Sequence, residues 1–188
     1  MTSQTEPALQ AAFERFRQES VSDLILDLRY NGGGLVSVGA RLASYIAGAV
    51  GQGQVYAELK YNAQQASRNQ RYTYPNSVGW PGLIRVTVLA GSRTCSASEQ
   101  SVNGLRGIGL QVTLLGETTC GKPVGSSPTD HCGNTFSLVN FSSVNRGGFG
   151  GYLDGFKPTC SAKLGHFDER EYAENNQIFL YTTLEGHV

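Results

Sequence analysis

Twice in this chain an apolar run of strand length stops in a turn of small residues, and a segment of helical period follows. In the first case, "LILDLRYNGGGL" (24–35) runs into "VSVGARLASYIAGAV", where Val38, Leu42, Tyr45 and Ile46 share one helical face. In the second, "GLIRVTVLAG" (82–91) leads to "TCSASEQSVNGLRG", with Ser96 and Glu99 at capping-box spacing, and then to another apolar run, "LQVTLLG" (110–116). Strand, helix and strand in alternation predict an α/β fold. The pattern also sets Gly32, Gly33, Gly34 and Ser96 at the carboxyl ends of their strands.

The remaining segments add to this plan. Leu9, Phe13 and Phe16 predict an amphipathic helix over 6–19. Residues 54–75 alternate weakly and read as a strand, a loop and a second strand. Past residue 122 the pattern is strand and loop, and the last 25 residues are charged and weakly periodic. A length of 188 residues suits one well-filled core, so 1–188 is read as a single domain, expected to be part of a longer chain. Fifteen basic residues balance fifteen acidic ones, which argues against a nucleic-acid surface built on bulk charge. No apolar run is long enough to span a membrane. Cys95, Cys120, Cys132 and Cys160 form no C-x-x-C pair, and only His131 and His166 lie near them, so neither a zinc site nor any other cofactor is expected.

The stretch "GETTCGKPVG" (116–125) imitates a phosphate-binding loop, G-x-x-x-x-G-K-[ST], for seven positions. The imitation ends at Pro123, which supplies no hydroxyl for magnesium. Gly125 and Pro128 then oppose the helix that should cradle the phosphates. A nucleotide site is therefore not expected.

Lys122 follows an apolar strand in a tight glycine turn, where partial desolvation would favour the neutral amine, a usable general base. A base needs a nucleophile. Ser96 starts the helix after the neighbouring strand, at the same end of the sheet, and successive strands usually pair. The first N–H groups of that helix are free to hold an oxyanion. These residues predict a serine–lysine hydrolase. Taken singly, Ser96 reads as a helix cap, Lys122 as a solvated turn charge, and the glycines as a tight turn.

Together, "LILDLRYNGGGL", "VTVLAGSRTCSASEQ" (86–100) and "LLGETTCGKPVG" (114–125) resemble the C-terminal processing, or tail-specific, peptidases, in that family's order and near its spacing. The resemblance covers roughly Ala8 to Pro158. It implies a crotonase- or Clp-protease-like core of ββα units with a mixed sheet, without the PDZ domain that usually accompanies it. It implies Ser96 as nucleophile, Lys122 as base, Ala97 as one oxyanion donor and Gly33 or Gly34 as another, with a protein or peptide as substrate. The family's Gln four residues past the lysine is here Ser126, a shorter candidate for the third member of the site. The acid that other members carry after the nucleophile has no counterpart in "GLRGIG". Cys95 and Cys120 flank the two catalytic candidates, which points to an extracytoplasmic, periplasmic or secreted, branch. One expected pairing is Cys95–Cys120 with Cys132–Cys160; the other leaves Cys95 free and links Cys120 or Cys132 to Cys160. The competing reading is a relative of the same fold that binds peptide or another ligand without turnover.

Overall fold

The computed structural model describes residues 1–76 and 85–162. Residues 82–84 of the expected strand and the charged C-terminal stretch fall outside that range. The expected helix at the start is α1 (Thr5–Gln18), which buries Leu9, Phe13 and Phe16 and carries Glu6 in its first turn and Arg15 and Arg17 in its last, each charge favourable to the helix dipole. A short strand, β1 (Ile25–Asp27), leads through the glycine turn to α2 (Val36–Ala47), which buries Val38, Leu42 and Ile46 and stops at Gly48, at φ +53°. Residues 54–75 fold as read: β2 (Val55–Tyr61), two short 3₁₀ turns, and β3 (Gln70–Thr73).

The second unit is β4 (Arg85–Ala90), α3 (Ala97–Gly107) and β5 (Gln111–Gly116). Strands β4 and β5 pair in parallel over their full length, from Arg85 opposite Gln111 to Ala90 opposite Gly116. Short strands follow: β6 (Val124–Ser126), β7 (Thr129–His131), β8 (Asn134–Phe136), β9 (Val139–Val144) and β10 (Cys160–Ser161). Cys132 and Gly133 both take positive φ, as a two-residue hairpin turn between β7 and β8 demands.

Parallel and antiparallel pairings separate into different sheets. One sheet has the order β1-β4-β5-β10, and every pairing in it is parallel. The other, β3-β2-β9-β6, is antiparallel throughout. Helix α3 packs against both α2 and β2. The approach is close because Gly104 is small: a β-carbon there would stand 2.7 Å from the ring of Tyr56, which is wholly buried. The consequence for the site is positional. Strands β1, β4 and β5 lie side by side and point the same way, so the turns that follow them, 28–34, 91–96 and 117–122, gather at one end of the sheet, where α/β proteins place their ligands.

Candidate active site

The first two turns are stitched together before either reaches a cavity. Thr94 Oγ1 donates to the carbonyl of Leu28 (2.7 Å) and accepts from Gly91 N–H (2.9 Å). Cys95 N–H donates to the carbonyl of Asn31 (3.2 Å). The Ser98 hydroxyl lies within 3 Å of two Asn31 oxygens, the carbonyl at 2.9 Å and Oδ1 at 2.8 Å. Asn31 Oδ1 also accepts the N–H of Gly33 (3.0 Å). Ser98 is therefore a buried tether for the glycine turn, two residues from the nucleophile candidate.

Ser96 sits at the junction itself. Its backbone is at φ +55°, ψ −119°, a region that costs a non-glycine residue on the order of 1–3 kcal/mol. A strained serine between a strand and the helix that follows it is the geometry of a nucleophile elbow, which pushes the hydroxyl out over the sheet's end. Ala97 is the first residue of α3, so its N–H has no helical partner. Gly33 lies directly behind this pair. A β-carbon on Gly33, at φ +100°, would stand 2.8 Å from both the Ala97 nitrogen and the Ser96 β-carbon.

The third turn is held by a carboxylate. Glu99, fully buried, accepts Gly121 N–H and the Thr119 hydroxyl on Oε1 (2.8 and 2.5 Å), and Lys122 N–H and Ser96 N–H on Oε2 (2.8 and 3.0 Å). The capping-box spacing identified the Ser96 bond. The grip on 119–122 has no local signal, because it joins residues twenty or more positions apart. Cys120 N–H adds a bond to the Thr94 carbonyl (3.0 Å), and a disulfide joins Cys95 to Cys120 with Cα atoms 5.2 Å apart. Cys132 and Cys160 are free and exposed, which corrects the expected second bridge: Cys132 is in the turn of a hairpin, Cys160 in a strand of the parallel sheet. Cys95, Glu99 and Cys120 bring three donor atoms within 4.8 Å, but the sulfurs are spent on the bridge and the carboxylate on its hydrogen bonds, which leaves a metal ion no ligand there.

An open cavity of about 690 Å³ collects the candidates: Gly34, Ser96, Ala97, Lys122 and Ser126 all line it, and Gly33 is buried just behind. Strands β2 and β3 form one wall, β6 with Phe141 another. Two expectations meet a different arrangement. Lys122 is exposed, not desolvated: Glu99 anchors its main chain, and the residue lines an open cavity. Gly33 has its N–H committed to Asn31, whereas no partner takes the Gly34 N–H among the described residues. Two further residues line the cavity without a role in the sequence reading: Gln100, the last residue of the "TCSASEQ" stretch, and Tyr152, which lies in no motif.

Against known proteins, the chain matches Peptidase family S41 over residues 1–143. Its fold is similar to that of a candidate S41 protease from Bacteroides fragilis, at 29% identity and TM-score 0.80, covering 97% of this chain and 47% of that one. It is also similar in fold to the photosystem II D1 C-terminal processing protease, at 24% identity and TM-score 0.66, covering 86% of this chain and 40% of that one. The chain thus spans less than half the length of these solved structures. With the glycine turn, the SASE turn and the GK turn gathered on one cavity, and the family match running through all three, this chain belongs to Peptidase family S41.

Proposed function

We propose that the chain is the catalytic portion of a serine endopeptidase that works through a Ser96–Lys122 dyad. Ser96 Oγ attacks the carbonyl of the scissile bond while the neutral amine of Lys122 takes its proton. The oxyanion is held by Ala97 N–H and by the glycine turn, for which Gly34 has the uncommitted donor. The amine leaves with the proton from Lys122, and water then hydrolyses the acyl-enzyme by the same route. The observation that carries this reading is the strained backbone of Ser96 at the mouth of the cavity that Lys122 also lines. Strain of that kind clusters at functional sites. A bound peptide would cover Lys122 and supply the desolvation that the open cavity lacks. The bridge beside Ser96 supports a site of action in an oxidising compartment, outside the cytoplasm.

The exposure of Lys122 favours a second reading, a relative that binds peptides without turnover. One experiment separates the two. A serine-directed acylating probe, read by intact mass, should add one label to the protein and none to Ser96→Ala. Cleavage of an unfolded protein substrate should disappear in the same variant. Absence of both label and cleavage in the unmodified chain would favour the binding relative.

A further inference from the structure

Two residues that line the cavity each carry a buried polar atom with no partner. The Gln100 side chain donates through Nε2 to Ser143 Oγ (2.5 Å), which leaves its Oε1 buried with no partner. The Tyr152 hydroxyl is likewise buried with no partner. Gln100 is 4% exposed and Tyr152 3%, so solvent does not satisfy either one. Buried polar groups are nearly always paired, and a pair of orphans lining one cavity calls for a cause.

Their placement supplies one. Gln100 N–H closes the first turn of α3 on the Ser96 carbonyl (2.8 Å), so Gln100 lies one helical turn beyond the nucleophile on the same flank. Tyr152 comes from the loop between β9 and β10, its ring stacked on Phe156 at 4.5 Å between centroids, and Phe156 N–H is fixed by Thr119 Oγ1 (2.7 Å). Thr119 is itself bonded to Glu99. Both orphans are thus held on rigid supports that also hold the catalytic turns. Burial raises the Tyr152 hydroxyl well above the usual phenol range, with the nearby Glu99 adding to the effect, so it remains an O–H donor at every ordinary pH. Gln100 Oε1 offers an acceptor alone.

We propose that Gln100 and Tyr152 form a polar specificity subsite beside Ser96 that binds a carboxamide side chain, Asn or Gln, of the peptide substrate. A carboxamide donates to Gln100 Oε1 through its N–H₂ and accepts from the Tyr152 hydroxyl through its oxygen. A carboxylate has no hydrogen for Oε1, and an aliphatic side chain would leave both orphans unpaired. Sites built to hydrogen-bond a substrate group reject analogues that lack it far more strongly than apolar pockets reject a change of size. The proposal rests on the peptidase reading for the identity of its ligand, but its test needs no turnover.

The test measures binding to the Ser96→Ala protein by fluorescence anisotropy. The probes are labelled alanine-based octapeptides whose single variable residue is Gln, norleucine or Glu, walked through the central positions. At one position the Gln peptide should bind roughly tenfold or more tightly than its norleucine and Glu counterparts. Adding Tyr152→Phe, which keeps the stacked ring, or Gln100→Leu should shrink that advantage to about twofold or less. Equal binding of Gln and norleucine at every position, an advantage that survives both substitutions, or no binding of any peptide up to about 1 mM would overturn the subsite. The peptidase reading is judged separately, by probe labelling of Ser96 in the unmodified chain, so the two can fail independently.

Discussion

One oxygen of Glu99 accepts the main-chain N–H of Lys122 at 2.8 Å while also accepting that of Ser96. A single buried carboxylate therefore sets the separation between the turn that carries the candidate nucleophile and the turn that carries the candidate base. Glu99→Gln keeps the shape but offers one acceptor oxygen, and its NH₂ must face backbone N–H groups. Unsatisfied buried donors cost about 1–3 kcal/mol each. Urea denaturation should show a loss of about 2–4 kcal/mol, and peptidase activity should disappear. A loss under about 0.5 kcal/mol would mean the carboxylate is not the clamp that its bonds indicate.

Lys122→Arg separates chemistry from structure. The Lys122 side chain is exposed, and its main-chain bond to Glu99 is indifferent to the side chain. Stability should stay within about 0.5 kcal/mol of the parent. Turnover should vanish, since a guanidinium stays protonated and cannot take the Ser96 proton. A variant that retains half the parent's cleavage rate would remove Lys122 from the mechanism.

The strain at Ser96 predicts a gain as well as a loss. Ser96→Gly relieves a positive φ, at the expense of extra unfolded-state entropy, and should stabilise the protein by a net ~1 kcal/mol or so while abolishing labelling. Ser98→Ala should do the reverse: it loses the bond to Asn31, costing about 1–2 kcal/mol in thermal or urea unfolding, yet keeps a labelled Ser96. Labelling that survives in Ser96→Gly and is lost in Ser98→Ala would exchange their roles.

Adjacent glycines should respond differently. A β-carbon on Gly32 meets nothing within 4 Å, whereas one on Gly33 crowds the carbonyl of Cys95, at 2.7 Å, and the Ala97 nitrogen. Gly32→Ala should leave cleavage within about twofold of the parent, and Gly33→Ala should lower it by at least tenfold, near 1.4 kcal/mol in the transition state. Comparable rates in the two variants would detach the turn from the site.

The disulfide makes a stoichiometric prediction. Denatured without reductant, the chain should titrate two thiols of its four cysteines, Cys132 and Cys160. Reduction should cost about 2–4 kcal/mol of stability, the usual range for a bridge closing a loop of this order. Four titratable thiols would remove the bridge.

The sequence shows what is written locally. Ser96 is legible as the start of α3 because Glu99 follows it at capping distance, and the β4–β5 pairing is legible because apolar runs flank a helix of the right length. What was hidden is long-range. Strand β9 pairs with β2 across some eighty residues, and its weak alternation names no partner. The reach of Glu99 to 119–122, the Asn31–Ser98 tether and the unpaired groups of Gln100 and Tyr152 all depend on side chains that meet only after the two sheets assemble. The sequence neighbours of Lys122 imply desolvation; the folded turn instead commits its backbone to Glu99 and leaves the residue exposed.

The loop before β10 carries a consequence for how the molecule comes into being. Thr119 N–H donates to the Phe156 carbonyl, Phe156 N–H returns a bond to Thr119 Oγ1, and Gly121 and Gly155 let the two backbones touch. The turn holding Lys122 thus lacks one of its supports until residue 156 has been made and packed. A ribosome delivers Ser96 some sixty residues earlier. The growing chain accordingly displays its candidate nucleophile before its candidate base is fixed, so on the peptidase reading the ribosome-bound intermediate would be inactive.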